Sequence, residues 1–179
     1  MEDYGLDSHK LIYHPHRVAN WITKDGDIFP INLEIGISGV CNHRCIFCYV
    51  NHLGYQPTYL DGDLMRQRTR EFADLGIKSI LYAGNGEPCL NKDFVAIINE
   101  TKRVGIDVAL STNGVLFTPQ VADRCMQDIS WIRFSISAGT EETYLKIHRS
   151  KEGDWDKVFK NIQYAVELKR KKKLNTVLG

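Results

Sequence analysis

The chain has no apolar run near the ~20 residues that a membrane-spanning helix needs, so no membrane partner is expected. It has no excess of either charge. Lysine and arginine number 23 against 22 aspartates and glutamates, a net charge of +1, which gives no bulk attraction to nucleic acid or anionic lipid. The opening residues, MEDYGLDSHK, are acidic and polar and lack the basic-then-apolar pattern of a secretion signal. A reducing, cytoplasmic setting is therefore expected. No low-complexity segment and no Ser–His–Asp arrangement stands out. Five cysteines in a reducing setting read as metal or redox chemistry before disulfides.

What is present fits one α/β domain. The 179 residues are 43% hydrophobic and 25% charged, enough for one sizeable core. Residues 1–30 read as an irregular N-terminal extension that packs on the domain. His14 and His16 in its HPH could ligate a metal, but nothing nearby completes a site. Residues 31–179 read as the core domain. Short β-branched runs predict strands at 31–38, 78–84, 106–112 and 131–137. Between them, helices are predicted at 63–76, with Leu64, Arg68, Phe72 and Leu75 on one face; at 91–105, capped by Asn91; and from Thr118–Pro119 to Met126. Trp155, Val158, Phe159, Ile162, Ala165 and Val166 form the stripe of a fourth helix, and 174–179 starts a fifth strand. The run 169–173, KRKKK, suits the solvated C-terminus of that helix, so no nucleic-acid partner is expected from it. Strand and helix alternating four times imply crossovers and a parallel sheet.

In such folds the working site lies beyond the C-terminal ends of the strands. Every unusual polar or glycine-rich piece falls there. The cysteine loop follows the first strand, GNGEP (84–88) the second and STNG (111–114) the third, with Ser135 and Ser137 at the end of the fourth.

The loop CNHRCIFCYV (41–50) places Cys41, Cys45 and Cys48 in a Cys-x3-Cys-x2-Cys spacing. Thiolates bind zinc or iron–sulfur clusters, and a closed site of either kind wants four ligands. His43 or His52 could complete a zinc site and make the chain an interaction module. Cys89 could complete a four-cysteine cluster for electron transfer. Three cysteines on a four-iron cluster would leave one iron open, as a catalytic site does for its substrate. Cys125 reads as a buried small hydrophobe.

This loop, with aromatic Phe47 before the third cysteine, resembles the signature of the radical S-adenosylmethionine (radical SAM) enzymes, and the resemblance runs from about Ile31 to the end of the chain. It implies a partial (β/α) barrel and a [4Fe-4S] cluster on Cys41, Cys45 and Cys48. S-adenosylmethionine would be chelated at the open iron and cleaved reductively to a 5′-deoxyadenosyl radical that abstracts hydrogen from a substrate. Asn85, Gly86 and Glu87 resemble the family's segment that holds the methionine amino group, Asn85 replacing a glycine. Thr112 and Asn113 resemble the polar pair near the cosubstrate. Ser135 and Ser137 resemble ribose contacts, Arg149 would pair with the methionine carboxylate, and Phe47 would pack on the adenine. The implied partners are a one-electron reductant such as flavodoxin or ferredoxin and an unknown substrate, peptide or small molecule. The family's core has six β/α units; this chain supplies four and the start of a fifth strand, so a fragment is expected.

Overall fold

The computed structural model describes residues 9–179. Five strands form one sheet: β1 Asn32–Ile35, β2 Ser79–Tyr82, β3 Asp107–Thr112, β4 Trp131–Phe134 and β5 Val177–Leu178. All neighbours are parallel, and the spatial order is the chain order. A doubly wound sheet reverses its strand order and so carries helices on both faces. Here the order never reverses, and every crossover lies on one side.

The register shows which side. Ile35, Tyr82, Leu110 and Ile132 sit at one level, and Leu33, Ile80 and Val108 at another. Alternate residues of a strand share a face. Of these, Ile80, Tyr82, Val108, Leu110 and Ile132 are wholly buried, under four helices. Helix α3 (Gly62–Asp74) contributes Met65, and α4 (Phe94–Arg103) contributes Phe94, Ile97 and Ile98. Helix α5 (Pro119–Cys125) contributes Ala122 and Cys125, and α7 (Asp154–Lys172) contributes Ala165 and Leu168. The opposite face keeps Asn32, Glu34 and Arg133 exposed and Leu81, Ala109 and Trp131 half-buried. It is the open, concave side of a partial barrel.

Several expected boundaries move. Residues 15–23 are a helix, α1, not irregular chain. Pro15 opens it at the first turn, where a missing N–H costs nothing. Arg17 anchors it to the domain by donating to Phe29 O (2.5 Å) and Gly76 O (3.4 Å). His14 and His16 face each other edge to face, and among the described residues they belong to no cluster of metal-ligand atoms. Two helices were not foreseen: α2 (Val50–Leu53) and α6 (Glu141–His148), the latter capped by Thr140 Oγ1, which accepts Thr143 N–H. The inner face of α3 is Met65 and Thr69 with Phe72, while Leu64 is exposed. Strand β4 ends at Phe134, so Ser135 and Ser137 lie beyond it. Asn91 does not cap α4 directly. Its Nδ2 donates to Ile37 O (2.8 Å) and Leu60 O (2.9 Å), and its Oδ1 accepts Asp93 N–H (2.9 Å).

One surface cluster has a pH signature. Glu100 on α4 takes a bidentate pair from Arg103 (2.7 and 2.7 Å) and a third bond from Arg70 on α3 (2.5 Å). The arginines hold its carboxyl down at about 2. Both are more than half exposed, so solvent screens them. Glu100→Gln is expected to cost about 1 kcal/mol at pH 7. A depressed carboxyl stabilises fully above its unfolded value and loses that contribution as pH falls toward its folded value. The gap between variant and wild type in urea midpoint should therefore narrow from pH 7 to pH 3. A gap of constant size would show that the charge is not its source.

Candidate metal centre and its rim

The cysteine loop leaves β1 and is fastened near its start and in its middle. Near its start, Gly39 N–H donates to Thr58 O (2.8 Å) and Gln56 N–H to Gly39 O (3.1 Å). In its middle, Arg44 N–H donates to His148 O (3.0 Å) and Ile46 N–H to Ile147 O (2.9 Å), which ties the loop to the C-terminus of α6. Helix α2 begins two residues after Cys48.

All three cysteines are half-buried, and each sulfur has a polar neighbour. Cys41 Sγ accepts His43 N–H (3.4 Å) and lies 3.7 Å from Asn113 Nδ2. Cys45 Sγ lies 3.2 Å from His148 Nδ1, and Cys48 Sγ 3.7 Å from the Tyr55 hydroxyl, whose ring packs under the Arg44 guanidinium. Burial pushes the Cys41 thiol up. Burial with the neighbouring sulfurs pushes Cys45 to about 11. These thiols keep their protons near neutral pH, so a metal or cluster must displace them.

The donor set fits a cluster better than one ion. Around a tetrahedral zinc with bonds of about 2.3 Å, sulfurs sit about 3.8 Å apart. Cys41, Cys45 and Cys48 form no group of ligand atoms within 4.8 Å of one another, among the described residues. Neither expected zinc partner completes such a set. His52 is exposed on α2. His43 is buried beneath the loop, its Nε2 3.5 Å from Asp154 Oδ2. The close group is instead His43, Cys45 and His148. Cys89 is in no such group. It packs on the main core, 3.9 Å from Thr112 Oγ1, and burial pushes its thiol well up.

The segment after β2 is built around close backbone approach. Gly84 has φ +113 and packs on Gly36. Asn85 does not have a positive φ, whereas Gly84 before it does, and the Asn85 Oδ1 accepts the Tyr49 hydroxyl. A Cβ on Gly86 would stand well inside contact distance of the Ser38 and Val40 carbonyl oxygens and 2.8 Å from Val40 N. Glu87 is buried, 2% exposed. Its Oε1 accepts the Thr112 hydroxyl (2.6 Å) and Cys89 N–H (3.1 Å), and its Oε2 accepts Asn113 N–H (2.8 Å). Burial raises its carboxyl despite these bonds. A carboxylate has about four acceptor positions, and the Cys89 thiol is a further partner beside these three. Asn113 continues the strap to the cysteine loop, donating to Asn42 Oδ1 (2.7 Å).

The remaining expected residues gather less tightly. Ser135 N–H donates to Thr112 O (2.8 Å), and Ser137 N–H to His148 Nε2 (3.1 Å). Arg149 is exposed at the end of α6 with φ +46. Phe47 is 60% exposed, its ring edge-on to His148 at 5.9 Å. Sequence reasoning missed His148, Asn42, Tyr55 and Asn161, the last of which holds the 111–114 loop through Gly114 O (2.8 Å) and Val115 O (3.0 Å). His148 was one residue from a named candidate, Arg149.

A one-sided β/α sheet with a three-thiol loop on its first strand, and polar straps from the next two, defines a cofactor-binding α/β domain. Residues 35–179 match the family model of the Radical SAM superfamily, and the chain belongs to that superfamily. That family's cofactors are a [4Fe-4S] cluster and S-adenosylmethionine, and its chemistry needs a reductant and a substrate. Similar curated proteins include the GTP 3′,8-cyclases of Mannheimia succiniciproducens, 32% identical over 154 residues (82% of this chain, 44% of that protein), and of Clostridium acetobutylicum, 30% over 151 (82% and 46%). The chain spans less than half the length of these relatives. Among solved structures, Streptococcus suis SuiB bound to its precursor peptide SuiA is similar in fold, with TM-score 0.66 and 20% identity over 88% of this chain and 35% of SuiB. SuiB bound to S-adenosylmethionine gives the same TM-score, over 88% and 36%. Among the described residues, no helix is long and apolar enough to cross a membrane.

Proposed function

We propose that residues 31–179 are the cofactor-bearing core of a radical SAM enzyme and residues 1–30 an N-terminal extension, of which residues 1–8 lie outside the described residues. Cys41, Cys45 and Cys48 hold the cluster. The supporting observation is convergence: three thiols, each with a polar neighbour, sit where straps from β2 and β3 reach the cysteine loop. When bound, the cluster and S-adenosylmethionine supply reductive cleavage of the sulfonium to a 5′-deoxyadenosyl radical, which takes a hydrogen atom from the substrate.

The chain's own residues orient these groups. An ammonium donates hydrogen bonds and requires acceptors. The backbone carbonyls of Asn85, Gly86 and Glu87 offer acceptors at this point of the rim, so these three receive the methionine amino group. Thr112 and Asn113 hold Glu87 in place. Arg149, a planar two-pronged donor, pairs with the methionine carboxylate. Ser135 and Ser137 meet the ribose, and Phe47 packs on the adenine and shields it from water. The open sheet face, with Glu34 and Arg133 exposed and Ser111 accepting from Arg133 (3.0 and 3.2 Å), is the wall the substrate meets. The substrate is a small molecule or a peptide; the GTP cyclases and SuiB exemplify one choice each. The reductant is a one-electron protein such as flavodoxin or ferredoxin. Free thiols at the rim suit a reducing, cytoplasmic compartment.

The test is anaerobic. The chain is reconstituted with iron and sulfide and reduced, and its electron paramagnetic resonance is recorded with and without S-adenosylmethionine. A four-iron signal that changes on addition is expected. Cys89→Ser should keep that signal and Cys45→Ser should lose it. A signal that ignores the cosubstrate, or one tightly held zinc in place of iron, would defeat the reading.

A further inference from the structure

His148 lies between two partners that together decide where its proton sits. Ser137 N–H donates to its Nε2 at 3.1 Å, so that nitrogen must present a lone pair. A neutral imidazole carries its one hydrogen on the other nitrogen. Nδ1 therefore bears the hydrogen, and it stands 3.2 Å from Cys45 Sγ. The same logic excludes a mononuclear metal at His43, Cys45 and His148, although their ligand atoms lie within 4.8 Å. For Nδ1 to bind a metal, the hydrogen would move to Nε2 and face the Ser137 N–H, donor against donor.

The ring cannot turn away from this geometry easily. His148 is 1% exposed. Tyr144 lies against its face with centroids 4.4 Å apart, and His43 and Phe47 pack on it at 5.6 and 5.9 Å. Its backbone oxygen also accepts Arg44 N–H, one residue before Cys45. One residue at the end of α6 thus grips the cysteine loop by its backbone and addresses a sulfur by its side chain.

We infer that His148 is a positioning residue that donates a fixed Nδ1–H hydrogen bond to the Cys45 sulfur and so sets the reduction potential of the cluster held there. The inference rests on the cluster assignment above. A hydrogen bond to a ligand sulfur draws negative charge from the cluster and favours its reduced state, so it raises the potential. Reduction is the step that delivers the electron, and the strap makes it easier for a weak biological reductant.

The test has two arms. In the reconstituted chain, the cluster's midpoint potential is measured by redox titration for wild type, His148→Phe and His148→Asn. Phenylalanine keeps the ring packing and has no donor; the asparagine Nδ2 stands near the Nδ1 position and keeps one. His148→Phe is expected to lower the reduced-to-oxidised ratio at fixed potential about tenfold, which for one electron is 59 mV. His148→Asn should recover most of it. An unchanged potential in a fully loaded His148→Phe overturns the inference, while failure of wild type to bind any four-iron cluster overturns the functional reading instead. If a variant loses its iron, nitrogen-15 NMR of the unloaded wild-type chain decides. The hydrogen on Nδ1 supports the inference, and the hydrogen on Nε2 refutes it.

Discussion

Gly86→Ala should uncouple the cysteine loop from the rest of the rim. The added methyl has no direction in which to relax, because the atoms it meets are Ser38 O, Val40 O and Val40 N, all backbone. A flexible side chain could swing aside; two strand-end segments must separate. The same contact carries the bond from Glu87 N–H to Val40 O (2.8 Å), and Val40 directly precedes Cys41. Overpacking of this kind costs about 3 kcal/mol at the upper end of its usual range. The expected result is a fall of that size in unfolding free energy and a large loss of iron on reconstitution. Gly139→Ala is the control, since a Cβ there meets nothing within 4 Å and its backbone is not left-handed. It should be neutral or slightly stabilising. If Gly86→Ala keeps wild-type stability and iron, the close approach does not hold the loop.

The parts of this domain written locally in the chain were legible, and the parts written across it were not. The strand–helix alternation could be read because β-branched runs and apolar stripes report on their own neighbourhoods. The rim could be placed because strand ends follow from strands. The three cysteines were singled out as candidate ligands by their spacing alone. By contrast, Glu87 reads in sequence as an acceptor for a ligand, yet three of its acceptor positions serve Thr112, Asn113 and Cys89 across 2 to 26 residues of chain. His148 is a lone histidine in a charged helix, and nothing local reveals a sulfur 103 positions away. The inner face of α3 was misread because Leu64 and Arg68 of the expected stripe keep the same spacing as Met65 and Thr69, one position earlier. Burial there is decided by α4 on the far side, not by hydrophobicity within the helix. Helix α1 escaped notice because it buries none of its own residues and is held by one arginine.

Glu87 also yields the other large effect. Glu87→Gln changes one oxygen to an NH2 and leaves shape and volume nearly intact, so it isolates the hydrogen bonding. If the amide nitrogen takes the Oε2 position, it faces Asn113 N–H. If it takes the Oε1 position, it faces Cys89 N–H, and the Thr112 hydroxyl, which already accepts Gly114 N–H (3.0 Å), must send its hydrogen elsewhere. Either choice leaves a backbone donor without an acceptor at the strap between β2 and β3. That loss is expected to cost about 1–3 kcal/mol, and Glu87→Ala more, because all three donors then go unpaired. Asn113 moves with the strap, and with it the bond to Asn42 inside the cysteine loop. Denaturant midpoints of both variants, read beside their iron content, check this. The ordering alanine below glutamine below wild type in both measurements is the expected result. A glutamine variant equal to wild type in stability would mean that the Glu87 bonds contribute nothing net, and that the segment after β2 is held by the Gly86 contact alone.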